Sequence, residues 1–266
     1  MKKEDNHPEK TKRFFNVLML LVWVGAAIIA SQLILGWLIL ALVGANTFQK
    51  PFVTALYSAL SYTLAMVLII IVPLLLKKQK AAKPKDSTKQ SIDWKELRTD
   101  LGLKGLPTWT DLGLAPVGFL IYLVLAFIMT FVFSQFAWFD ASEAQDVGFN
   151  FIISGPEKLI AFLTLVVVAP IAEEIIFRGF LYGRLRNLLN AKITNKFSVF
   201  LSIFLTSLLF GIMHMQWNVG VNVFAMSIVL CALREITGTI HAGILLHMLK
   251  NGVAFYLLYV LGMGLV

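Results

Sequence analysis

Residues 169–179 read Ala-Pro-Ile-Ala-Glu-Glu-Ile-Ile-Phe-Arg-Gly, and they set two adjacent carboxylates and a guanidinium at the end of an apolar run from Leu159 to Val168. On insertion scales each such charge at a helix centre costs ~2.5–3.5 kcal/mol, whereas a Leu, Ile, Val or Phe returns only ~0.3–0.6 kcal/mol. Three charges at depth cancel the benefit of most of the surrounding segment unless they are paired, hydrated or at work. Helical spacing sorts them. Glu174 and Arg178 are four apart and share a face, so each neutralises the other; Glu173 is turned about 100° away. One carboxylate is left over, and it is the candidate base.

Two further polar sets interrupt apolar stretches downstream: Phe210-Gly-Ile-Met-His214 and His247-Met-Leu-Lys250-Asn251. His247 and Asn251 project from one helix face. A carboxylate, two imidazoles and an amide from three helices form a hydrolytic set. The carboxylate takes a proton from water, an imidazole holds that water or relays the proton, and an imidazole with an amide donates to a developing oxyanion. The paired Glu174 and Arg178 read as structural. Lys250, beside Asn251, either snorkels or pairs with a glutamate of the fourth span. His241 reads as a headgroup-level residue, and Arg234 and Glu235 need no function.

These residues must be held by membrane helices. The chain has 266 residues, 58% of them hydrophobic and only 14% charged, against about 25% charged in a soluble domain; its mean hydropathy is +0.80. That composition is an integral membrane protein with several spans. The net charge of +8 sits in connections between spans, where the positive-inside rule accounts for it without nucleic acid. The one cysteine, Cys231, offers no intrachain disulfide.

The spacing predicts an all-α polytopic bundle of seven spans, or eight if the Gly-punctuated end of the last one breaks. A polar N-terminal tail, residues 1–13, precedes spans at 14–44 and 52–76. A basic connection, 77–112, follows, with nine Lys or Arg against five acids and a short surface helix expected at 92–101. The third span covers 114–137, with Trp138 as an interfacial anchor. The connection 140–157 carries Asp140, Glu143, Asp146 and Glu157 but no Lys or Arg, so it is read as external. The fourth span starts near 159 and continues as an amphipathic helix through Asn190; 197–215, 218–233 and 237–260 complete the set. Every basic connection falls on one side, which predicts a cytoplasmic N-terminus in a cell membrane. The whole chain, 1–266, reads as a single membrane domain, with N-terminal spans and basic loop over 1–112 and a catalytic core over 113–260.

EEIIFRG, FGIMH and HMLKN resemble the EExxxR, FxxxH and HxxxN/D signatures of the CAAX-protease and bacteriocin-processing family (CPBP, or Abi), which includes the Ras-converting endopeptidase. The resemblance implies an intramembrane endopeptidase acting on a peptide or a lipidated peptide tail. Glu173 would activate water with help from His214. His247 and Asn251 would form the oxyanion site, and Glu174 and Arg178 its supporting pair. It also implies a cleft facing the cytoplasm. The family has been described both as metalloproteases and as glutamate-dependent proteases. Glu173, His214 and His247 would suffice for zinc with an open position, but no HExxH occurs and no second carboxylate is then free as base; a metal-free mechanism is favoured. The rivals are a peptide-binding or bacteriocin-immunity protein without catalysis, and a transporter.

Overall fold

The computed structural model describes residues 7–81, 92–143, 149, 154–190 and 195–262. Everything regular in them is helical, and seven stretches are long and apolar enough to cross a membrane. Helix α1 is His7–Val43, α2 the short Ala45–Phe48, α3 residues 51–81, α4 Trp94–Asp100 and α5 Trp109–Phe133. Helix α6 is Gly155–Asn190, α7 Asn195–Ile212, α8 Trp217–Thr237 and α9 His241–Val260. The expected all-α bundle of seven spans is therefore what the chain forms, with α4 as the surface helix foreseen at 92–101. Of the basic connection, residues 82–91 lie outside the described residues, as does Asp146 of the acidic one.

Two ends of the bundle are distinguished by what meets there. At the basic end, the Arg186 guanidinium donates to Glu235 at 2.9 and 3.1 Å and to Asn195 Oδ1 at 3.0 Å, and it also reaches the Ser198 hydroxyl. Arg234 donates to the carbonyls of Asp100 and Gly238. His241 is buried, its Nε2 3.2 Å from the Lys104 carbonyl. His241 thus sits at the basic end of α9, and Arg234 and Glu235 at the end of α8 take structural contacts. All three fasten the 98–104 segment and the α6–α7 corner to the bundle. At the other end, aromatic rings gather: Trp138 lies 6.0 Å from Phe133 and 5.4 Å from Trp217.

Local chemistry explains the shapes of α3 and α6, two of the helices that carry an interior proline. Pro73 and Pro170 lack the N–H that an α-helix would aim at the carbonyl four residues earlier. In each case the helix widens just ahead of the ring, at Val67–Ile71 in α3 and Leu163–Val168 in α6. Val72 N–H then bonds Val67 O, and Ala169 N–H bonds Thr164 O, five residues back. A third wide stretch, Ile175–Tyr182, begins directly after the double glutamate. Such single-turn widenings concentrate at functional sites.

Three glycines let two contacts close. A Cβ on Gly211 of α7 would lie 2.8 Å from the Gly220 carbonyl of α8, and one on Gly220 would lie 3.0 Å from the Gly211 carbonyl. Gly179 of α6 meets the Leu101 carbonyl in the same way, at 3.0 Å. Close backbone approach through small residues is how membrane helices gain packing where no water drives them together.

Candidate active site

The α6, α7 and α9 helices bring the three polar sets to one place. Phe177 of α6 and Phe210 of α7 meet edge to face at 4.8 Å. Because the two helices run in opposite directions, the residues four positions toward the acidic end, Glu173 and His214, come level with each other. Counted from the basic ends of straight helices, His214 should lie deeper than Glu173; the Phe177–Phe210 contact sets the actual register. Helix α7 stops at Ile212 and Met215 takes a positive φ of 56°. The His214 ring folds back so that Nδ1 lies 2.8 Å from the Phe210 carbonyl, which places the proton on Nδ1 and leaves Nε2 as an acceptor.

The two glutamates part company. Glu174 is fully buried, and its Oε1 accepts from Arg178 Nη1 at 2.9 Å and from His247 Nδ1 at 3.0 Å. Arg178 is equally buried and lies 4.4 Å above the face of Phe210, a cation–π contact that offsets part of its desolvation. The expected Glu174–Arg178 couple is thus present, with a ring and an imidazole added to it. Glu173 lines a cavity of about 900 Å³ instead. Its Oε1 accepts from the Tyr62 hydroxyl of α3 at 2.6 Å, and its Oε2 lies 3.8 Å from His247 Nε2.

His247 is therefore held between the carboxylates. Donation from Nδ1 to Glu174 fixes its tautomer and turns Nε2 toward Glu173, the same division of labour by which a buried carboxylate orients a catalytic imidazole elsewhere. A neutral ring so held offers Nε2 as an acceptor, and it donates there only once protonated. Asn251 spends one amide hydrogen on the Leu165 carbonyl at 2.9 Å. Leu165 lies in the widened turn that precedes Pro170, and carbonyls there lose their regular partners. The second Asn251 hydrogen stays available.

All four candidate residues, Glu173, His214, His247 and Asn251, line this one cavity, while Glu174 and Arg178 stand behind it. Lys250 lines it too, and among the described residues no carboxylate lies within ion-pair distance of it; of the two alternatives, snorkelling or pairing with a glutamate of the fourth span, the pair is not made. Sequence reading passed over two groups. Tyr62 belongs to the Ser58-Ala-Leu-Ser61-Tyr62-Thr63 stretch of α3, whose polar side chains at helical spacing were the available signal. Asn222 of α8 also lines the cavity, its Oδ1 accepting from the Tyr122 hydroxyl at 2.7 Å.

For a metal, the donor atoms free to converge are Glu173 Oε2, His247 Nε2 and His214 Nε2. Among the described residues no group of three or more His, Cys, Asp or Glu is arranged to hold one.

This is a membrane-embedded set of carboxylate, imidazole and amide groups around a cavity, backed by a buried ion pair. Residues 155–253 match the family model for type II CAAX prenyl endopeptidases, Rce1-like. The match contains all three motifs and bears out the resemblance to the CPBP and CAAX-protease family. No curated protein and no solved structure matches the chain. The matched family is one of intramembrane proteases, which supports peptidase activity in general and a peptide substrate met in a membrane.

Proposed function

We propose that the protein is an intramembrane endopeptidase in which Glu173 is the general base. The observation that carries this is the asymmetry of the double glutamate: Glu174 is sealed into an ion pair, and Glu173 faces a cavity with one oxygen uncommitted. A water between Glu173 Oε2 and His247 Nε2 is within hydrogen-bond reach of both, since 3.8 Å separates them. Glu173 takes the proton as that water attacks a peptide carbonyl, and His214, level with Glu173, relays it toward the leaving amine. The remaining amide hydrogen of Asn251, with His247 once protonated, donates to the oxyanion. The substrate is a peptide or a lipidated peptide tail.

Zinc held by Glu173, His214 and His247 is the second mechanism. It would supply Lewis-acid activation of water, but it would also take the one carboxylate placed to act as base, because Glu174 is already committed to Arg178 and His247. The glutamate mechanism needs no such replacement. The test is cleavage of a peptide library by detergent-purified protein. Glu173→Gln should remain folded and lose at least ~10²-fold in rate, the lower end of what a positioned base supplies. Wild-type activity should survive dialysis against a strong chelator with metal content measured in parallel. Full cleavage by Glu173→Gln would remove it as base, and chelator-sensitive activity restored by Zn²⁺ would establish the metal mechanism.

The peptide-binding and immunity reading requires no water-activating pair. The transporter reading requires access from both ends of the bundle, and the cavity is closed at the basic end by packed side chains.

A further inference from the structure

Lys250 is the charge at the site that the mechanism above does not use. It is the tenth of the 20 residues of α9, so about 14–15 Å of helix lies on either side of it. A lysine stem reaches roughly 6 Å, too short to carry the ammonium from mid-span to either headgroup layer. Position therefore removes snorkelling as its explanation. An ionisable group at such a depth is costly, and it is kept where it faces a cavity or a partner.

The helix turns it to the cavity. His247, Lys250, Asn251, Ala254 and Leu258 are among the lining residues of α9, and their spacing of three and four makes them one helix face. Among the described lining residues Lys250 is the only Lys or Arg. The acids of the same wall are Glu173, whose Oε1 is taken by Tyr62, and Glu143. The charge of Lys250 acts across the cavity on Glu173 and on His214, yet among the described residues it forms no ion pair. Arg178 differs, since Glu174 already neutralises it.

The place of this ammonium relative to the reaction follows from helix geometry. Lys250 adjoins Asn251 and lies three residues, about 4.5 Å of axial rise, from His247. With a stem of roughly 6 Å, it can meet a group roughly 5–10 Å from the carbonyl under attack. Extended chain advances about 3.3–3.6 Å per residue, so that range is one to three residues from the cut. An anion brought so near Glu173 would be repelled by it. A cation in the same wall turns that repulsion into a preference.

We propose that Lys250 anchors a carboxylate of the substrate one to three residues from the bond that is cut, and so makes the protein selective for peptides with an acidic side chain or a free C-terminus at that place. The position of the cut rests on the peptidase reading above. The anchor does not, and binding alone can read it.

The test uses detergent-purified full-length protein and a peptide that it cuts. One pair of peptides carries a C-terminal carboxylate or amide within three residues of the cut; a second set carries Glu or Gln at each of those positions. In at least one pair the carboxylate form should be favoured roughly 10- to 100-fold in kcat/KM, the value of a hydrogen bond to a charged group. The pair that shows it distinguishes terminus from side chain. The ratio should fall to near one in Lys250→Met and persist in Lys250→Arg, with melting temperatures measured alongside. No preference in the wild type, or a loss in Lys250→Met that is equal for both forms, overturns the proposal. The same pairs, fluorescently labelled, are titrated against Glu173→Gln to measure binding without cleavage. If no peptide is cut, the peptidase reading fails; tighter binding of the carboxylate form that Lys250→Met removes still upholds the anchor, and equal binding or none overturns it.

Discussion

At the scale of single residues, the division between Glu173 and Glu174 makes contrasting substitutions informative. Glu174→Gln leaves Arg178 buried without its counter-charge and weakens the hold on His247. Removing one partner of a buried pair costs ~3–5 kcal/mol, so purified yield and melting temperature should fall together with activity, unlike Glu173→Gln. Tyr62→Phe should keep the fold and lower cleavage roughly 10- to 100-fold, because a hydrogen bond to a charged group contributes ~1.5–3 kcal/mol and each ~1.4 kcal/mol is tenfold in rate. An unchanged rate in Tyr62→Phe would mean that Glu173 needs no help in holding its orientation. The i,i+4 rule alone separated the paired glutamate from the spare one, and order along the chain linked the three motifs. Tyr62 escaped because it lies 111 residues before Glu173, and no local spacing ties two such positions. His241 escaped for a similar reason, since its partner is a backbone carbonyl 137 residues away.

At the scale of helices, the crossing of α7 and α8 at Gly211 and Gly220 positions His214. Gly211→Ala places a methyl 2.8 Å from a backbone carbonyl, which cannot swing aside as a side chain would. Overpacking of this kind costs ~1–3 kcal/mol. The variant should melt earlier and lose activity through displacement of His214, as measured by thermal unfolding and cleavage in the same detergent; Gly113→Ala, with open space around its Cβ, should change neither. Span number and the surface helix at Trp94–Asp100 were legible from apolar run length and charge. Span ends shifted by up to five residues, the third beginning at Trp109 rather than 114; the seventh begins at His241 rather than 237, because Gly238 ends α8 in a left-handed cap. The widened turns left no trace that hydropathy could register. One extra residue in a turn changes which carbonyl meets which N–H while the apolar surface stays continuous, and only the prolines at 73 and 170 hinted at it. Asn251 was read as a free donor for that reason.

At the scale of the whole molecule, the bundle holds a cavity with a closed floor. Helix packing seals it below Arg178, and the 134–143 segment lies across the α7–α8 turn at the other end. Such a shape constrains traffic as well as chemistry. Neither half of a cut peptide can leave ahead through the floor, so both must back out past the place where the next substrate waits. The fragment that occupies the deeper part should therefore rebind and slow its own formation. Progress curves for a purified peptide should bend well before substrate is exhausted, and adding the synthetic deep fragment at the start should raise the apparent KM without changing kcat. A lateral gap wide enough to shed fragments into the lipid would instead give linear curves, indifferent to added product.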